Sequence, residues 1–167
     1  RIATTLDTLP SSQAGVYCYQ AANYLSLLDH PVEMGEFAEV AFTTHNTPHR
    51  VVVTGKHRAD LNRLSSDLTR ICAAAIDFWG DDTPPFAQYL FQVMAVGNGY
   101  GGLEHRSSTS LLCSRDDLPL ATEPEHKLGE KYKAFLGLCS HEYFHSWLVK
   151  RIQPHVLVNP DLHQENH

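Results

Sequence analysis

Two histidines flank a glutamate and two aromatics in His141-Glu142-Tyr143-Phe144-His145, and on a helix that spacing can build a hydrolytic metal centre. Positions four apart in an α-helix differ by about 40° in direction and about 6 Å along the axis. His141 and His145 can therefore aim two neutral imidazole nitrogens at one zinc ion, at about 2.0–2.1 Å each. Glu142, beside the first ligand, would reach a water on that ion rather than the ion itself. Zinc brings the pKa of such a water toward about 7, and a carboxylate can take its proton as it attacks a carbonyl. The chain holds 11 histidines, so chance has to be weighed, and the context decides. Phe135, Leu136, Leu138, Tyr143, Phe144 and Trp147 make the surrounding segment mostly apolar. A glutamate and two histidines in such a helix need partners. A metal supplies them, whereas the plainer alternative is a helix with two surface histidines.

A second group stands upstream in Tyr100-Gly101-Gly102-Leu103-Glu104-His105. Two glycines beside a strand let a ligand approach the backbone, and Glu104 just beyond them could hold a cation such as a peptide's free α-amine. Taken alone, a turn followed by a solvated glutamate explains these residues as well. A catalytic zinc also needs a third protein ligand. After His145 the only carboxylates are Asp161 and Glu165, and Glu165 lies in a polar segment without helical pattern.

The elements that must position these groups can be read from periodicity. Leu61, Leu64, Leu68, Ile71, Ala75 and Phe78 recur at helical steps, predicting an amphipathic helix over 58–79 that Gly80 ends. Gln88 to Val96 reads as a strand buried on both faces, Gly97 to Gly102 as a flexible break, and Ser107 to Cys113 as a further strand. The spacing predicts a second helix over 124–150, stopped by Pro154. Upstream, Gly15–Tyr19, Phe37–Thr43 and Arg50–Thr54 read as strands, with turns at Asp29-His30-Pro31 and Thr47-Pro48. Strands, helix, strands, helix imply an α+β domain with helices packed against one sheet.

Composition excludes some partners. The net charge is −6 and 43% of residues are hydrophobic, which suits a packed core and argues against nucleic acid as the main partner. No apolar run approaches the roughly 20 residues that span a bilayer. Cys18, Cys72, Cys113 and Cys139 show no paired spacing, so buried free thiols are expected and the cytoplasm is slightly favoured over the periplasm.

Together the segments Tyr100–Ser108 and His141–Pro154 resemble the glycyl aminopeptidase family of zinc metallopeptidases, as does Asp29-His30-Pro31-Val32-Glu33-Met34-Gly35. The resemblance implies a thermolysin-like catalytic domain preceded by a β-rich domain, and usually a later PDZ domain. Residues 1–50 would then be the end of the β-rich domain with its linker, and 51–167 part of the catalytic domain. It further implies that His141 and His145 bind zinc, that Glu142 is the base, and that Gly101, Gly102 and Glu104 hold the backbone and amine of a peptide with a free N-terminus. Members of the family commonly carry Asn where this chain has Leu148. Their third zinc ligand is a Glu on a later helix, which places it beyond residue 167 and leaves the chain as a fragment without activity of its own. The expected activity of the parent is removal of small N-terminal residues. The alternatives are a thermolysin-like endopeptidase and an inactive peptidase-fold scaffold.

Overall fold

A computed structural model describes residues 1–80, 83–122, 128–155 and 158. The amino-terminal segment folds into short pieces: β1 (Ile2–Ala3), β2 (Asp7–Leu9), β3 (Cys18–Gln20), α1 (Tyr24–Leu28) and β4 (Glu33–Met34). Then follow β5 (Phe37–Thr44), β6 (Thr47–Thr54), α2 (Leu61–Trp79), β7 (Tyr89–Val96), β8 (Tyr100–Glu104), β9 (Ser108–Ser114) and α3 (Glu130–Phe144). β1 pairs with β4 and β2 with β3, while the last five strands form one sheet in the order β5-β6-β7-β9-β8. The β6-β7 and β7-β9 pairs are parallel, and both edge pairs are antiparallel. The mixed α+β class expected from the sequence is observed.

Local chemistry accounts for this order. β5 turns into β6 through His45 and Asn46, whose φ of 47° and 57° match a hairpin turn that needs two positive values. Thr47 and Pro48, expected as the turn, instead begin β6. A parallel return needs a crossover, and α2 supplies it between β6 and β7. Asp60 caps α2 by accepting from the Asn62 and Arg63 N–H groups at 3.0 and 3.1 Å. Gly80 closes it with φ 67°, a conformation that costs glycine little.

The helices α2 and α3 cover one face of the sheet. Val51, Val53, Phe91, Val93, Leu111 and Cys113 there meet Leu64, Leu68, Ile76 and Phe135 in a single buried cluster. On the other face Ala3 and Phe37 join Val52 and Leu90. Gln92 Nε2 ties the amino-terminal segment down by donating to the carbonyls of Ala3 (3.1 Å) and Pro31 (3.3 Å). Residue 50, where the sequence reading divides the chain, lies inside β6, so the sheet draws strands from both sides of that division.

Two further expectations are corrected. The break placed over 97–102 contains the start of β8, because Tyr100, Gly101 and Gly102 pair with Cys113, Leu112 and Leu111. The helix expected over 124–150 is α3, Glu130–Phe144, followed by tight turns; its expected start, Pro124, lies outside the described residues. All four cysteines are free, three of them buried. No helix among the described residues is long and apolar enough to cross a membrane.

Candidate active site

The last turn of α3 is held by rings. Tyr143 stacks on Phe91 at 5.9 Å and meets Tyr89 edge-on at 4.7 Å, and Trp147 stacks on Trp79 of α2 at 6.2 Å. Such pairs contribute beyond the area they bury. Below Tyr143 lies His49 of β6, fully buried. Its Nδ1–H donates to the Thr47 carbonyl at 2.9 Å, which leaves Nε2 to accept from the Tyr143 hydroxyl at 2.9 Å. Burial brings the His49 pKa down from 6.5 to about 4, against the opposing hydrogen bond to Thr47. The imidazole is therefore a neutral acceptor at physiological pH.

With that turn fixed, His141, Glu142 and His145 face the edge strand β8. The Nε2 atoms of His141 and His145 lie 3.0 Å apart. His145 Nδ1–H donates to the Leu148 carbonyl at 2.7 Å, so in this tautomer Nε2 carries a lone pair on the side of His141. Two ligands at about 2.05 Å on a tetrahedral ion stand roughly 3.3 Å apart. Both the spacing and the tautomer therefore fit a shared zinc ion. Leu148 serves this arrangement through its backbone, so the departure from Asn at that position leaves the hydrogen bond to His145 intact.

Glu142 is 5% exposed, and Gly102 of β8 makes room for it. A Cβ added to Gly102 would stand 2.6 Å from Glu142 Cγ and closer still to its carboxylate, whereas one at Gly101 meets nothing within 4 Å. Glu104, at the end of β8, is half-buried. One ligand atom each of Glu104, Glu142 and His145 lie within 4.8 Å of one another. Burial raises the Glu142 pKa, His141 and His145 oppose that rise, and Glu104 adds to it. The structure thus groups Glu104, Glu142 and His145, with His141 beside His145 and Gly102 against Glu142, while Gly101 lies on the same strand beside open space. Glu165, the downstream carboxylate considered as a ligand, lies outside the described residues.

A model of the M61 glycyl aminopeptidase family matches residues 134–167, the segment that carries His141 to His145. The aminopeptidase N family protein from Idiomarina loihiensis is 41% identical, with a TM-score of 0.87 over 98% of this chain. Together these likenesses support an M61 glycyl aminopeptidase-like family for the chain. The chain spans 27% of the Idiomarina protein. Two M1 zinc metallopeptidase structures share the fold. One, from Deinococcus radiodurans, has a TM-score of 0.52 at 12% identity, over 88% of this chain and 31% of that one. The other, a two-domain enzyme bound to L-arginine, has a TM-score of 0.53 at 11% identity over the same shares. No curated protein matches the chain.

Two residues near the site escaped the reading by motif. Asp29 and Lys150 both approach the end of β8, yet they are remote in sequence and follow no periodic pattern. Their presence in the segments that resemble the family was the one available signal.

Proposed function

We propose that the protein is a zinc aminopeptidase that hydrolyses the first peptide bond of peptides beginning with small residues. The observation that carries this reading is the pairing of the His141 and His145 Nε2 atoms, 3.0 Å apart, with Glu142 and Glu104 beside them. His141 and His145 would hold the ion. Glu104 and Glu142, whose ligand atoms lie with that of His145 within 4.8 Å of one another, would stay off the ion in this reading and serve as amine anchor and base. When bound, zinc would polarise the scissile carbonyl as a Lewis acid.

The remaining work falls to the chain's own residues. β8 is the edge of its sheet, so a peptide can pair with its free backbone groups as an added strand. Gly101 and Gly102 keep that edge clear of side chains. Glu104 would take the peptide's α-ammonium in a charge-assisted hydrogen bond, which sets cleavage one residue in. Glu142, raised in pKa by burial, would accept the proton of the attacking water and return it to the leaving amine.

The test is Glu142→Gln in the full protein. Zinc content should stay at the wild-type level while kcat on an N-terminal glycyl peptide falls about a hundred- to ten-thousand-fold. Full activity in that variant would sink the assignment.

A further inference from the structure

Asp29 closes the carboxyl end of α1 and gathers a histidine, an arginine and a lysine around one carboxylate. His105 Nδ1 lies at 3.3 Å, Arg106 Nε at 3.4 Å and Lys150 Nζ at 3.5 Å. The Arg106 backbone N–H donates to Asp29 Oδ2 at 3.3 Å as well. Burial pushes the Asp29 carboxyl up, but the His105 hydrogen bond, Lys150 and the Arg106 N–H together hold it below its ordinary value. Asp29 is therefore a fixed negative charge, although it comes from the segment ahead of the main sheet.

Lys150 carries that charge on to the site. Its Nζ lies 3.6 Å from Glu104 Oε1 while it pairs with Asp29. The turns after α3 bring it there: its N–H donates to the His145 carbonyl at 3.0 Å, and its own carbonyl accepts from Arg106 Nη1 at 3.2 Å. Both side chains are largely buried, at 17% and 22% exposure. Beside them opens a cavity of about 650 Å³, lined in part by Asp29, Glu104, His105, Arg106 and Lys150.

The need for such a cation follows from the two carboxylates. Glu104 and Glu142 approach within 4.8 Å, and like charges at that range repel in a half-buried site. Left alone, Glu104 would turn away from Glu142, and that change spoils an ammonium site. A lysine on a flexible stem offsets the repulsion only if its head is held. Asp29 holds it. Lys150 lies against Oε1, which leaves the second oxygen of Glu104 for another donor.

We propose that Asp29 and Lys150 are positioning residues for the amine anchor, with Asp29 fixing Lys150 and Lys150 holding Glu104 turned toward the substrate's α-ammonium. This rests on the reading of Glu104 as that anchor. Recognition of the free N-terminus then depends on a residue outside both sequence motifs.

The experiment compares a glycyl peptide with its N-acetylated form in the full protein, using Lys150→Met, Asp29→Asn, Lys150→Arg and the reference Glu104→Ala. Lys150→Met and Asp29→Asn should raise KM for the free peptide about tenfold, leave kcat within about twofold, and leave the acetylated peptide unaffected. Lys150→Arg should restore most of the loss. Calorimetry with glycinamide on a Glu142→Gln background should show the same weakening without turnover. An unchanged or lowered KM in Lys150→Met overturns the proposal, and so do equal losses on both peptides. Should Asp29→Asn fail to fold, Lys150→Met and Lys150→Arg still decide the matter. If Glu104→Ala leaves discrimination between the two peptides intact, the aminopeptidase reading falls and takes this proposal with it. A clear Glu104→Ala effect beside a silent Lys150→Met overturns this proposal alone.

Discussion

Glu142 sits under β8 at a point where the strand has no side chain to spare. Because a Cβ on Gly102 would press into its carboxylate, Gly102→Ala should displace the base and lower kcat by about tenfold or more, since small misplacements near the chemistry are costly. Gly101→Ala meets open space and should leave kcat near the wild-type value; steady-state kinetics on one peptide separates the two variants. Equal losses would mean that β8 fails as a strand rather than as a lid over Glu142. At this scale the candidate metal-binding motif was legible in the sequence because helix geometry alone relates His141, Glu142 and His145. Glu104 stood out only through the resemblance of its segment to the family, because two glycines before a glutamate also fit a turn. Asp29 and Lys150 were not, because the ion pair that joins them depends on how α1 and the turns after α3 dock against the end of β8. No local pattern encodes that docking.

The helix that carries the motif depends on β6. Tyr143 donates to His49 across the core, so Tyr143→Phe leaves a buried acceptor without a donor and should cost about 1–3 kcal/mol in urea unfolding. The same contact sets a pH limit. His49 has a folded pKa of about 4 against an ordinary 6.5, so folding favours its neutral form. Its contribution is whole above pH 6.5 and is lost as the pH falls through 4. The rings that face it are Phe42, Phe86, Tyr89 and Tyr143, and none of them offers a counter-charge at acid pH. Stability should decline by up to about 3 kcal/mol over that window, and His49→Phe should flatten that part of the profile. Denaturant unfolding from pH 7 to pH 4 checks both. Among the elements, α2 was readable because its apolar period and Gly80 agree, although its expected start at residue 58 lies ahead of Leu61, where Asp60 caps the helix. β8 was masked by its glycines, which signal flexibility in a sequence but here pair with β9. The second helix was read too long because apolar residues continue past His145, where the chain turns to bring Lys150 toward Glu104.

At the scale of the molecule, the sheet order places its free edge, β8, directly above the last turn of α3, and the proposed chemistry needs that adjacency. The α+β class followed from alternating patterns, but the order β5-β6-β7-β9-β8 did not, since strand neighbours are chosen by tertiary packing. The chain spans 27% of its Idiomarina relative, so the account has to be tested on the full protein. The most direct measurement is the ratio of kcat/KM for a glycyl peptide and its N-acetylated counterpart, before and after removal of zinc by a chelator. The account predicts that the free peptide is cleaved at least a hundredfold more efficiently, as loss of a buried charge pair implies, and that the chelator abolishes this activity until zinc is restored. Equal cleavage of both peptides, or activity that survives the chelator, would contradict it.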